Sequence, residues 1–279
     1  ESKPGIHDNV SHLNPDGSGS WRPGLIHLLQ SRQRTRIEKS FRGFAENQNW
    51  SVSANSEFSA RNLHRIYGIK GGVLYPSVDL TEFSREPSFG EGAAFDLMGL
   101  GEVNSYAVTV GRMSRFKGTY EAVEHLVGSG LGLVVIGGAK ESENTALRDY
   151  GDSLGVTVRV LSGIDSESMR AVMRNSAAII GLAHGEAFGL TPIEAMALGT
   201  PPVFVNEGGY TETIVDQFNG RLVERGDVEA WHRALEQARD PGTRKRWARN
   251  GLARIEELGL TPQEHAKQLY SIVNSDEFQ

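Results

Sequence analysis

Ser105-Tyr106-Ala107-Val108-Thr109-Val110-Gly111-Arg112-Met113-Ser114-Arg115-Phe116-Lys117-Gly118 opens the part of the chain whose rhythm decides the fold. A short apolar run, Ser105–Val110, is followed by a loop carrying glycine and cations, and then by a helical pattern over Gly118–Val127. The run does not alternate apolar with polar, so it suits a strand covered on both faces. The same unit recurs downstream. Strands are predicted at Gly132–Ile136, Val156–Leu161, Ala178–Gly181 and Pro202–Val205, with a small one at Arg221–Val223. Helices are predicted at Glu141–Leu154, Ser166–Asn175, Thr191–Leu198 and Thr211–Asp216. Three more follow at Asp227–Ala238, Gly242–Leu258 (with a break) and Pro262–Val273. Short apolar strands alternating with amphipathic helices specify an α/β fold, a doubly wound, Rossmann-like parallel sheet.

Upstream the rhythm is different. Residues 1–24 are turn-rich, and residues 25–46 carry a helical stripe that includes Leu25, Leu28, Ile37 and Phe41. Trp50–Ala54 and Gly72–Tyr75 read as short strands on either side of a helix, Ser56–Tyr67, with Ser56 as its N-cap. Residues 80–103 show no clean period and read as a linker.

Composition narrows the function classes. The chain has 279 residues, 29 Lys and Arg against 35 Asp and Glu, and a net charge of −6. That balance argues against a nucleic-acid partner, which calls for a basic surface. There is no cysteine, which excludes disulfides, thiolate zinc sites and cysteine nucleophiles. This fits a reducing, cytoplasmic setting. No apolar run approaches the roughly 18–20 residues needed to cross a bilayer. The first residue is Glu1, so the chain is expected to start inside a longer gene product.

Parallel sheets bind ligands at the carboxyl ends of their strands. That directs attention to loops Gly111–Lys117, Gly137–Ala139, Ser162–Asp165, Leu182–Leu190 and Asn206–Tyr210. The most informative segment runs Gly185-Glu186-Ala187-Phe188-Gly189-Leu190-Thr191-Pro192-Ile193-Glu194-Ala195-Met196-Ala197-Leu198-Gly199-Thr200-Pro201. Thr191-x-x-Glu194 reads as a capping box with Pro192 at the first helical position. The free N–H groups of that helix end attract anions, phosphate above all. Glu186 on the loop and Glu194 on the first turn can face one crevice and accept hydrogen bonds from sugar hydroxyls. Two plainer roles stay open: Glu194 as a capping partner only, and Glu186 as a solvated loop residue. Arg112 and Lys117, five positions apart, suit a diphosphate gaining charge as it leaves; an ordinary surface pair is the alternative.

The segment Gly185–Pro201 resembles the Glu-x7-Glu signature of retaining GT-B glycosyltransferases of the family-four, group 1 type, close to E-x-F-G-x-x-x-x-E-A-M-A-x-G-x-P. Gly111-Arg112 through Lys117-Gly118 is similar to that family's G-R-x-x-x-x-K-G loop. Asn206–Thr213 is similar to its G-G-x-x-E loop, and Tyr75-Pro76-Ser77-Val78-Asp79 to the end of its N-terminal domain. The resemblance covers roughly residues 50–275 and implies a GT-B architecture. It implies a partial N-terminal, acceptor-side domain over 1–79, a linker over 80–104, a nucleotide-sugar-binding domain over 105–260 and a C-terminal helix crossing back over 261–279. The family's glycine-rich first loop is not visible here.

The implied activity is transfer of a hexose from a GDP- or UDP-hexose to a glycan, lipid-linked or small-molecule hydroxyl acceptor, with retention and without bound cofactor or metal. Catalytic roles fall on Glu186, Arg112 and Lys117. Donor contacts fall on Gly111, Arg112, Lys117, Ser162, Gly163, Ile164, Glu186, Phe188, Gly189, Leu190, Thr191 and Glu194. His7, in Gly5-Ile6-His7-Asp8, and His184 are candidate hexose contacts; each is otherwise a packed or loop histidine. Two other function classes stay open: a nucleotide-sugar-binding subunit that needs a partner or a missing domain, and a GT-B epimerase or phosphorylase. The basic run Arg32, Arg34, Arg36, Lys39 and Arg42 reads as a solvated helix face or as a peripheral membrane contact. Oligomeric state is not legible.

Overall fold

The computed structural model describes residues 35–43, 51–83, 86–87, 90–102, 104–114 and 116–274. The predicted helix segments 25–34 and 44–46, and His7, lie outside the described residues. Two compact units divide the chain: Asp79–Leu258, and Glu1–Val78 together with Gly259–Gln279.

The larger unit is built on six parallel strands: β3 Tyr106–Arg112, β4 Gly132–Gly138, β5 Val158–Leu161, β6 Ala178–Gly181, β7 Pro202–Val205 and β8 Arg221–Val223. Their spatial order is β5-β4-β3-β6-β7-β8. β3 pairs with β4 from Tyr106↔Gly132 to Arg112↔Gly138, and with β6 through Ala107↔Ala178 and Val108↔Ile179. From β3 the chain steps outward to β4 and β5, then returns to β6 on the other side of β3. That reversal sends crossover helices to opposite faces and opens a crevice above β3 and β6. The helices are α3 Glu91–Met98, α4 Thr119–Leu126, α5 Glu141–Ser153, α6 Ser166–Arg174, α7 Leu190–Leu198, α8 Tyr210–Thr213, α9 Val228–Arg239 and α10 Pro241–Leu258. α4 packs on α9, α3 on α6, and α7 on α10.

Burial explains the bare strands. Every residue of β6 and β7 is buried, as are Val108 and Leu133 through Ile136. Trp231 and Trp247 fill the space behind the sheet, and each indole N–H finds a carbonyl, Glu224 at 3.2 Å and Gln217 at 3.0 Å.

Three expectations differ from the structure. The stretch read as a linker holds α3, whose Glu91 is buried with Arg174 Nε at 2.7 Å and Arg170 Nε at 3.5 Å. An ion-pair anchor leaves no hydrophobic period to read. α10 is unbroken: at Gly251 a Cβ would stand 2.8 Å from Met196 Cγ, so the glycine serves helix packing. The capping box is absent. α7 starts at Leu190 with Gly189 as N-cap and no side-chain cap, which places Pro192 third in the helix and Glu194 fifth. Gly189 holds φ +87°, and a Cβ there would also strike the Tyr210 ring at 2.6 Å.

The smaller unit has a parallel pair, β1 Ser53–Ala54 with β2 Gly72–Val73. Its helices are α1 (residues 35–43), α2 Glu57–Tyr67 and α11 Pro262–Val273. Ser56 caps α2 by accepting from Ser59 N at 2.9 Å, as its sequence predicts. Within this unit the residues before α11 bond back to the N-terminal stretch: Val78 N donates to Leu260 O at 2.8 Å, and His265 Nδ1 lies 2.7 Å from Tyr75 O. Among the described residues no helix is long and apolar enough to cross a membrane.

Candidate functional site

The loop after β3 returns to the sheet end at Lys117, whose N–H donates to the backbone and hydroxyl oxygens of Ser114, both at 3.1 Å. The Lys117 side chain passes over Gly111, its Cε 3.9 Å from where a Cβ on that glycine would sit. Its ammonium ends 2.7 Å from Glu186 Oε2. The two side chains are 38% and 23% exposed, so the pair borders solvent and is only loosely bound. Arg112 closes β3 with an exposed side chain, and no hydrogen bond or ion pair engages it among the described residues.

The loop after β6 carries Glu186 into α7. Phe188 is buried, Leu190 is 44% exposed, and among the described residues no side chain caps the first N–H groups of α7. The loop after β7 fixes its height. Gly209 N donates to Glu186 O at 2.8 Å. A Cβ on Gly209 would meet Ala187 O and Phe188 Cα at 2.4 Å, and one on Gly208 would meet Glu186 O at 2.6 Å. The paired glycines therefore let two backbones touch. Tyr210 lies beneath; burial first, and then the charge of Glu186, push its phenol up.

Glu194 lies on the second turn of α7, the helix that starts at this end of the sheet. It is half-buried, burial raises its carboxyl above the ordinary range, and it makes no hydrogen bond or ion pair among the described residues. With no cap to serve, its acceptors are open. Ser162, Gly163 and Ile164 lead into the N-cap of α6, and Ser162 Oγ donates to Gly137 O at 2.8 Å.

Lys117 and Glu186 are thus brought into contact, and Glu186, Phe188 and Gly189 are packed against Gly208, Gly209 and Tyr210. Arg112, Glu194 and Ser162–Ile164 share this end of the sheet without a bond to the Lys117–Glu186 pair. His184 Nε2 lies 3.3 Å from Glu121 Oε1 and its Nδ1 3.8 Å from Glu207 Oε2. Glu121 and Arg225 went unnoticed in the sequence because neither lies in a recognisable spacing; they meet here through folding alone. Arg225 takes Glu207 in a two-pronged bond, and that bond holds the Glu207 carboxyl below its usual range. No cluster of three or more His, Asp or Glu is arranged to hold a metal ion among the described residues.

Known proteins resemble this chain in sequence and in fold. The profile described as glycosyl transferases group 1 matches residues 99–254. A D-inositol 3-phosphate glycosyltransferase of Mycobacteroides abscessus is 31% identical over 84% of this chain and 58% of its own. One from Xylanimonas cellulosilytica is 30% identical over 86% of this chain and 64% of its own. The chain thus spans about three fifths of the length of these curated relatives. Among solved structures, a glycosyltransferase from Rickettsia africae superposes with a TM-score of 0.72 at 18% identity, over 85% of this chain and 68% of that one. Anabaena HepE, solved with UDP-glucose, gives 0.67 at 20% identity, over 79% of this chain and 64% of that one. These likenesses make the fold GT-B, and the matched profile spans every sheet-end loop built above. The chain belongs to the group 1 glycosyltransferases.

Proposed function

We propose that the protein transfers a hexose from a nucleotide diphosphate sugar to a hydroxyl acceptor, with retention of anomeric configuration. The observation that carries this reading is the Lys117–Glu186 pair at the open end of β3 and β6, beside the uncapped start of α7. A diphosphate needs a cation and free N–H groups on one side; a sugar needs a carboxylate next to them.

In this reading Arg112 and Lys117 hold the diphosphate, aided by the amides of Leu190 and Thr191. Gly111 lets the Lys117 stem lie flat against the sheet end. Glu194 accepts from the ribose hydroxyls, and Ser162, Gly163 and Ile164 meet the base through their backbone. Glu186 and the backbone of Phe188 and Gly189 orient the hexose. Both ring nitrogens of His184 face carboxylates, so its role is to hold the loop. During reaction the bond from C1 of the hexose to the phosphate oxygen breaks, and one from C1 to the acceptor oxygen forms on the same face. The acceptor proton passes to the departing phosphate. Arg112 and Lys117 neutralise the charge gathering there, which is where fixed cations count most. The nucleotide-sugar domain is assigned to 105–260 and the acceptor side to 1–79, with α11 returning to it. UDP- and GDP-hexoses are the proposed donors; a glycan, lipid-linked or small-molecule alcohol is the acceptor. The exposed Arg36, Lys39 and Arg42 offer a peripheral contact to anionic lipid.

A thermal-shift and calorimetry panel of UDP-, GDP- and ADP-hexoses tests donor binding, because a ligand selective for the native state raises the melting temperature. A labelled donor with an acceptor panel then tests transfer, and the anomeric proton of the product reports stereochemistry. Selective binding followed by an α-product from an α-donor is expected. Epimer or free sugar without transfer would refute the reading.

A further inference from the structure

Arg225 follows β8 by two residues and lies in none of the motifs above. Its stem is anchored from behind: the preceding carbonyl, Glu224 O, accepts from the indole of buried Trp231, whose ring stacks on His125 at 5.0 Å. The guanidinium then uses all three nitrogens. Nε and Nη2 donate to the two Glu207 oxygens, each at 2.9 Å. Nη1 donates to Leu182 O at 2.9 Å and to Glu121 Oε2. The side chain is only 21% exposed.

These acceptors belong to three different segments. Glu121 is on the first turn of α4, four residues past Lys117. Leu182 begins the loop that carries Glu186. Glu207 lies on the loop whose Gly209 bonds to Glu186 O. His184 adds a second stitch, donating its N–H to Phe116 O at 2.9 Å while its ring faces Glu121 and Glu207. We propose that Arg225 is a positioning residue: a single guanidinium brace that sets the spacing between Lys117, Glu186 and the amide end of α7. The inference rests on the donor reading above, since those are the loops assigned to the donor. Only a planar fork reaches three segments at once; a lysine ammonium is one point of charge on a flexible stem.

The test compares wild type, R225M and R225K in the full chain. UDP and GDP affinities are measured by calorimetry, and amide hydrogen exchange is followed without ligand. R225M is expected to weaken nucleotide binding about tenfold, within the range for residues that act through others. Exchange should quicken at 183–189 and 207–210 and stay at the wild-type rate in β3 and β4. R225K should bind as weakly as R225M, to within about twofold, because it restores charge without the fork. Full rescue by R225K, unaltered binding in R225M, or exchange that quickens uniformly through the sheet would each overturn the brace. If wild type binds neither nucleotide, the donor reading fails; the exchange pattern still decides whether Arg225 braces the loops.

Discussion

Replacing Gly209 with alanine inserts one methyl group between two loops that the proposed donor site depends on. Gly209 has φ −69°, so alanine meets no backbone strain there. The cost is steric: its Cβ would lie 2.4 Å from both Ala187 O and Phe188 Cα. Reaching ordinary van der Waals contact requires one backbone to withdraw by about 1 Å. The atoms struck are main chain, so no side chain can swing away. Overpacking of this kind costs about 1–3 kcal/mol, offset by about 0.5 kcal/mol from a stiffer unfolded chain. The withdrawing segment carries Glu186 and the start of α7, and a misplacement of about 1 Å at a reacting centre costs on the order of 100-fold in rate. Gly226→Ala is the matched control, since nothing lies within 4 Å of its Cβ position. Melting temperature, UDP affinity and turnover are measured on all three proteins. Gly209→Ala is expected to melt a few degrees lower and to lose most of its turnover, while Gly226→Ala behaves as wild type. Wild-type turnover in Gly209→Ala would refute the claim that the 206–210 loop sets the position of Glu186.

Glu194→Gln tests the open carboxylate through pH. Burial raises the Glu194 carboxyl, so ionising it costs the folded state stability. That stability is fully present below the ordinary carboxylate range and is lost as pH rises through the raised value. At neutral pH Glu194→Gln should therefore melt at or above the wild-type temperature, the two curves converging in acid, while nucleotide affinity falls roughly tenfold. A lower melting temperature at neutral pH would mark a framework role instead. Lys117→Ala and Arg112→Ala should each cut turnover by roughly 100- to 1,000-fold, the scale for losing one donor to transition-state charge, with little change in melting; wild-type rates in both would remove them from the site. Glu91→Ala removes the carboxylate that the partly buried Arg170 and Arg174 share and should cost about 3–5 kcal/mol in denaturant unfolding. Nucleotide affinity per folded molecule should not change.

What the sequence revealed follows from range. Strands such as Ala178–Gly181 and Pro202–Val205 are legible because burial on both faces leaves them wholly apolar, a property each strand holds alone. The Lys117 and Glu186 loops are legible because their residue types sit at fixed offsets along one stretch of chain. Contacts that exist only in three dimensions are not. Glu91 reaches Arg174 across 83 positions and Arg225 reaches Glu121 across 104, and neither leaves a period or spacing. The capping box misled for a related reason. Thr191, Pro192 and Glu194 have the right spacing, yet Gly189 in the left-handed region starts the helix two residues earlier than the box requires. The chain spends its cap and leaves the amides bare.

Two ion pairs of the larger unit, set side by side, show why open charges gather at the sheet end. Glu91 and Arg174 are 4% and 15% exposed, and separating them would leave charge stranded away from water. Such a pair is costly to separate, and it joins α3 to α6. Lys117 and Glu186 border solvent, where an ion pair contributes about 0–1 kcal/mol and is given up at little cost. A diphosphate arriving beside Lys117 brings more negative charge than Glu186 offers, so the ammonium gains by turning to it. On the proposed donor reading, Glu186 is then released toward the sugar hydroxyls. In the proposed reading, the contact that pairs these two charges thereby supplies one group for the diphosphate and one for the sugar. Substituting Glu186 with glutamine should accordingly strengthen the hold of Lys117 on UDP alone while weakening the preference for UDP-hexose over UDP. Loss of affinity for both in equal measure, read by calorimetry, would contradict this exchange.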